Sequence, residues 1–232
     1  PPVAGPNIYY DNERDDSDIS PTLNIRYFAT DDLMTYASVS RGFKSGGFDQ
    51  RRVPADETGE FEDETSTSYE LGWKGTWLER RLQVNGTFFY VDYDDFQSQT
   101  FDGASIKVTN AGVMESYGME LDAIYAASAD LTLGTAIGYT HATYDEFDRG
   151  QCTIDQAFEQ FYVEENAQFG TPGAAGGPPP RSPPGTSVCL QDLAGEDVDN
   201  SPEWTVSTFV QYNTAVTADL VAIFRAEHNY ID

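Results

Sequence analysis

Tyr69-Glu70-Leu71-Gly72-Trp73-Lys74-Gly75-Thr76-Trp77 decides how the rest of the chain is read. Tyr69, Leu71, Trp73 and Trp77 stand at alternate positions, and Glu70, Lys74 and Thr76 fill the gaps. A repeat of two is the signature of a β-strand with one apolar and one polar face. The same rhythm continues on both sides. Leu78-Glu79-Arg80 makes a turn, after which Leu82, Val84, Phe88 and Tyr90 alternate with Gln83, Asn85 and Thr87. Asn85-Gly86 would ordinarily signal a hairpin turn. Here the apolar phase runs through it without a slip, so a continuous strand is expected.

Eight such segments follow one another. Upstream lie Pro21–Phe28, a turn at Thr30-Asp31-Asp32, and Leu33–Phe43. Downstream, a strand is expected over Lys107–Ala126, with Tyr117, Met119, Leu121, Ala123 and Tyr125 on one face. Leu131–Tyr144, Glu203–Asn213 and Ala218–Tyr230 complete the set. Their connections are alternately very short and very long, and the longest is residues 145–202, with Pro178-Pro179-Pro180 and Pro183-Pro184. Short turns at one end and long loops at the other are the habit of an outer-membrane β-barrel.

Alternation alone would also suit a soluble sandwich, which buries its apolar faces. Three features favour lipid. The segments exceed the usual globular strand and match the tilted length needed to cross hydrocarbon. Aromatics stand near the ends of the apolar faces, as Tyr69, Trp73, Trp77, Tyr117 and Tyr125 do, where amphipathic rings suit the membrane interfaces. The opposite faces carry Arg26, Glu70, Lys74, Glu120, Asp122 and Arg225, which are cheap to hold in a watery lumen and expensive in lipid.

Composition agrees. The 232 residues carry 39 acids against 13 bases, a formal charge of -26, yet 13% are aromatic. That acidity excludes nucleic acid, whose phosphates attract Lys and Arg, and electrostatic anchoring on anionic lipid. The aromatics exclude a disordered acidic tail. Cys152 and Cys189 both fall in the longest loop, which favours a disulfide made in an oxidising compartment over two free thiols. A zinc site lacks partners, because His141 stands alone in spacing. Glu60/Glu62/Glu64, Asp92/Asp94/Asp95 and Glu196/Asp197/Asp199 resemble no calcium loop and read as solvated charge. No Ser-His-Asp or Cys-His arrangement points to an enzyme, and no cofactor is implied. Arg41 and Lys44, beside Gly42, Gly46 and Gly47 at the mouth of a long loop, are candidate contacts for an anionic ligand. The competing reading is snorkelling at a lipopolysaccharide rim.

Several stretches resemble TonB-dependent outer-membrane receptors. Met34–Phe48 and Ser68–Lys74 look like strand-and-loop motifs of that family, and Leu82–Gln97 is similar to its following strand. Thr109–Gly112 with Gly118–Asp122, then Ser201–Thr205, extend the likeness. The resemblance implies a barrel of about 22 strands closed by a plug. It implies energy-driven uptake of a large scarce ligand, most commonly a ferric siderophore and sometimes cobalamin or glycans. It implies the outer membrane as location, with lipid and lipopolysaccharide around the wall and the TonB complex acting through a plug that these residues do not contain. If the short turns are periplasmic, both ends of the chain lie outside the cell. The expectation is therefore a partial barrel over 1–232, with 145–202 as a long extracellular loop. The alternative is a complete small eight-stranded barrel for anchoring or adhesion.

Overall fold

A computed structural model describes residues 13–49, 59–101, 106–110, 112–147, 150–152, 156 and 190–232. The fold is all-β and antiparallel. Eight long strands form one sheet: β1 (Thr22–Thr30), β2 (Leu33–Lys44), β5 (Glu64–Trp77), β6 (Leu82–Asp94), β9 (Val113–Ala126), β10 (Leu131–Glu146), β13 (Trp204–Ala215) and β14 (Val221–Ile231). Each lies beside its successor, in the order β1-β2-β5-β6-β9-β10-β13-β14. Three two-stranded ribbons stand in the long connections: β3 (Gly47–Phe48) with β4 (Glu60–Phe61), β7 (Gln97–Phe101) with β8 (Ile106–Asn110), and β11 (Gly150–Gln151) with β12 (Leu190–Gln191). The sheet does not close on itself, because β1 and β14 are not neighbours. It is a wall rather than a complete eight-stranded barrel.

Register makes two coherent faces. Val39, Tyr69 and Tyr90 are opposite one another across β2, β5 and β6, and Tyr90 is opposite Tyr117, which is opposite His141. Two residues further along, Ala37, Leu71, Phe88, Met119, Tyr139 and Trp204 form the next row of the same face. A one-residue slip anywhere would move every side chain of that strand to the wrong side. The unbroken pairing of β5 with β6 through Asn85 and Gly86 keeps the phase. Gly86 has a packing role: a Cβ there would meet the Trp73 ring at 2.2 Å. Trp73 lies over its cross-strand partner, and no other residue leaves room for it.

The apolar face is bare. Leu71 is 60% exposed and Phe88 52%, in the middle of the sheet. Buried apolar residues are few among those described: Met114, Ala142, Tyr144 and Phe147. A soluble domain of this length would bury Leu71 and Phe88, and monomers rarely expose so broad an apolar surface. Aromatic pairs on this face stand eight residues apart in three strands, Tyr69/Trp77, Tyr117/Tyr125 and Trp204/Tyr212. Eight residues span about 26 Å along a strand. At the tilt of a membrane barrel this becomes a band about 20 Å tall, close to the apolar height of such walls.

The strand expected over Lys107–Ala126 is two strands. β8 ends at Asn110 and β9 begins at Val113. Gly112 between them has φ +92°, and a Cβ there would sit 2.3 Å from the Glu146 carbonyl oxygen. That left-handed backbone ends one strand and starts the next. Leu78, Glu79 and Arg80 form the tight turn expected of them, all three with positive φ, closed by the Arg81 amide donating to the Leu78 carbonyl at 3.1 Å.

Candidate functional site

Two regions bear chemistry: the reverse face of the sheet and the rim made by the long connections.

The register brings Arg26, Glu70, Lys74, Glu120, Asp122 and Arg225 onto the reverse face. Arg26 is opposite Tyr36, which is opposite Gly72; Gly72 is opposite Thr87, and Thr87 opposite Glu120. Lys74, Asn85 and Asp122 share a second row. Glu70 lies opposite Ser38 and Phe89. Arg225 is opposite Gln211 near the other end of the sheet. Neutral groups do much of the bonding here. The Asn85 amide donates to Asp122 at 2.9 Å, and the Tyr36 hydroxyl reaches Thr87 at 2.9 Å across Gly72. Arg225 pairs with Glu227, donates to Gln211 at 3.3 Å and stacks 4.0 Å over the Phe209 ring. Arg26 donates to Asn24 at 2.9 Å. Glu70, Lys74 and Glu120 have no partner among the described residues.

Arg41 and Lys44 do not form one cationic site. Three residues apart on an unbroken strand, they lie on opposite faces of β2. Arg41 is 3.4 Å from Asp18, and Lys44 is 3.2 Å from Glu64. Each cation meets a carboxylate of its own chain. Cys152 is disulfide-bonded, while its expected partner Cys189 lies outside the described residues.

The rim is more highly organised than alternation reveals. Arg14 holds Asp16, Glu60, Asp63 and Glu62 at 2.7, 2.9, 3.1 and 3.2 Å. The hydrogen bond to Asp16 raises the guanidinium above its ordinary range; burial pulls the other way, and Glu62 and Glu60 add to the rise. Of the acidic runs singled out in the sequence, Glu60 and Glu62 thus turn to Arg14, and Glu64 serves Lys44 and the Gln97 amide. On the reverse face Met114, Tyr144 and Phe147 form a small core, with Tyr93, Phe96, Leu193 and Val198 packed against it.

The end of the longest connection also covers an edge. β10 pairs with β13 only as far as Tyr139, which leaves residues 140–146 without a strand neighbour on that side. The returning arm supplies one. Thr140 donates to the Glu203 carbonyl at 2.9 Å, Val198 to Ala142 at 2.9 Å, Tyr144 to Glu196 at 3.0 Å and Gly195 to Tyr144 at 2.7 Å. His141 Nδ1 lies 3.3 Å from Glu203 and 3.9 Å from Asp197. Sequence alternation missed Arg14, Gln97, Asn110 and this arm. The one available signal was a lone arginine between acidic neighbours, Glu13 and Asp15.

Among known proteins, the "TonB dependent receptor-like, beta-barrel" family matches residues 3–231. A ferric-pyoverdine 358 receptor of Pseudomonas putida is 28% identical over 151 residues, 62% of this chain and 17% of that protein. The ferric yersiniabactin uptake receptor FyuA of Yersinia pestis superposes with a TM-score of 0.60 at 19% identity, over 90% of this chain and 25% of that one. The siderophore receptor PiuA of Acinetobacter baumannii gives 0.58 at 15% identity, over 91% and 25%. The chain therefore spans about a sixth to a quarter of these relatives. The two structures share its fold. Bare apolar face, charged reverse face and family match agree that the chain belongs to the TonB-dependent receptor β-barrel family of the bacterial outer membrane.

Proposed function

We propose that these residues are wall and rim of a receptor that takes up a ferric siderophore. The observation that carries this reading is the pairing of a bare aromatic-bordered face with a reverse face of fixed charges, in a chain matched by the receptor-barrel family over 3–231. The relatives' names point to the ligand class: one is a ferric-pyoverdine receptor, one a ferric yersiniabactin uptake receptor, one a siderophore receptor. In this reading the apolar face meets lipid and, at its upper border, lipopolysaccharide. The short turns face the periplasm and the long connections face outward. Glu70, Lys74 and Glu120, free of partners in the wall, meet the plug of the whole receptor, through which the TonB complex acts. The Cys152–Cys189 disulfide closes the base of the longest loop. Arg41 and Lys44 stabilise the rim rather than take an anionic ligand together.

Growth of an iron-starved deletion strain, complemented with the full-length gene, tests the proposal. Supplied with a panel of ferric siderophores, cobalamin and glycans, the complemented strain should regain growth on one ferric siderophore. It should lose that growth when residues 145–202 are deleted. Rescue by cobalamin or a glycan alone would contradict the ligand class.

A further inference from the structure

We infer that the described parts of the first two long connections, residues 45–49 and 59–63 of one and 95–101 and 106–110 of the other, are interlocked into one body that opens only as a unit. Two side-chain amides make the lock. Gln97 and Asn110 are register partners at the base of the β7–β8 ribbon. Gln97 Nε2 donates to the carbonyls of Ser45 and Glu62, each at 3.0 Å. Asn110 Nδ2 donates to the same Glu62 carbonyl at 3.1 Å and to Asp95 at 2.8 Å, while its Oδ1 accepts from the Glu62 amide at 2.8 Å. The backbone at Glu62 is thus read from both sides, as a neighbouring strand would read it.

Two further bonds tie the second connection down, one to the start of β5 and one to the first connection. The Gln97 backbone amide donates to Glu64 Oε2 at 2.8 Å, on the carboxylate that also holds Lys44. Asp49, buried at 7% exposure, accepts from the Val108 amide at 2.9 Å, and its own amide donates to the Gly59 carbonyl at 2.7 Å. Breaking the Val108 bond while Asp49 stays buried costs more than breaking an exposed one. The Glu62 backbone is bonded at once by Gln97 and Asn110, so separating the two connections breaks these bonds and the Asp49–Val108 bond together. Cooperative release follows from that sharing. The inference rests on contacts within the rim and holds whatever the ligand is.

The test is hydrogen exchange by mass spectrometry on the full-length receptor in lipid nanodiscs. Asn110→Leu removes three bonds without removing bulk, and Gln97→Leu removes two others from the opposite strand. Heat-modifiable migration checks that each variant retains a folded barrel. Each variant should speed exchange about tenfold or more in both 59–64 and 106–110. Amides of β10 and β13 within the apolar belt should not change. Faster exchange confined to 106–110 in both variants, with 59–64 as in the wild type, would overturn the interlock.

Discussion

At the residue scale, identity matters by face. Leu71→Arg puts a cation at the centre of the apolar belt and should cost about 2–4 kcal/mol. Glu120→Gln keeps a polar side chain of the same size on the reverse face, where losing a charge contact to the plug should cost about 1 kcal/mol at most. Urea unfolding of the receptor in vesicles distinguishes the two, and equal losses would contradict the assignment of faces. Glycines follow a different rule. A Cβ at Gly118 would meet the Tyr139 carbonyl oxygen at 2.0 Å and the Phe89 ring at 2.7 Å. The first is backbone, which cannot swing aside. Gly118→Val should therefore cost at least about 1–3 kcal/mol and reduce the heat-modifiable band, while Ala136→Val, exposed on the same face, should be tolerated.

At the element scale, the sheet separates what is legible in sequence from what is not. The phase of Tyr69–Trp77 and the continuity through Asn85-Gly86 were readable because each depends on local alternation. The turn at Leu78–Arg80 was readable for the same reason. The break at Gly112 was hidden, because it answers to Glu146 on another strand. The arm on β10 was hidden too: its bonds run from backbone to backbone, and the side chains that would announce a strand are Glu196, Asp197 and Asp199. Alternation put Arg26, Glu70, Lys74, Glu120, Asp122 and Arg225 on one face, and the strand register keeps them on a common face. It also drew attention to Arg41 and Lys44, which register separates. Phe147→Ala tests the arm's anchorage. Phe147 is the most buried of the small core, and its loss should cost about 3 kcal/mol of local stability. Exchange at Tyr144, Gly195 and Val198 should rise while that of belt amides stays constant. A uniform rise across the sheet would show that the rim and wall are one cooperative unit.

At the scale of the whole molecule, the chain reverses the usual distribution of burial. Its small core lies at the rim, and its widest apolar surface is bare, as expected for a wall whose solvent is lipid on one side. The acidic charge can be large because it is concentrated in the connections and on the reverse face, away from the belt. Contact with acyl chains should be confined to the face bearing Leu71, Phe88 and Met119 and be absent from the face bearing Glu70, Lys74 and Asp122. Spin labels placed singly at Leu71, Phe88, Glu70 and Asp122 of the full-length receptor in lipid vesicles report this through collisions with oxygen, which concentrates in hydrocarbon, and with a water-soluble nickel chelate. Labels at Leu71 and Phe88 should collide with oxygen and hardly with nickel, and labels at Glu70 and Asp122 should lack that oxygen preference. High nickel access at Leu71 and Phe88, or access to neither reagent, would contradict it.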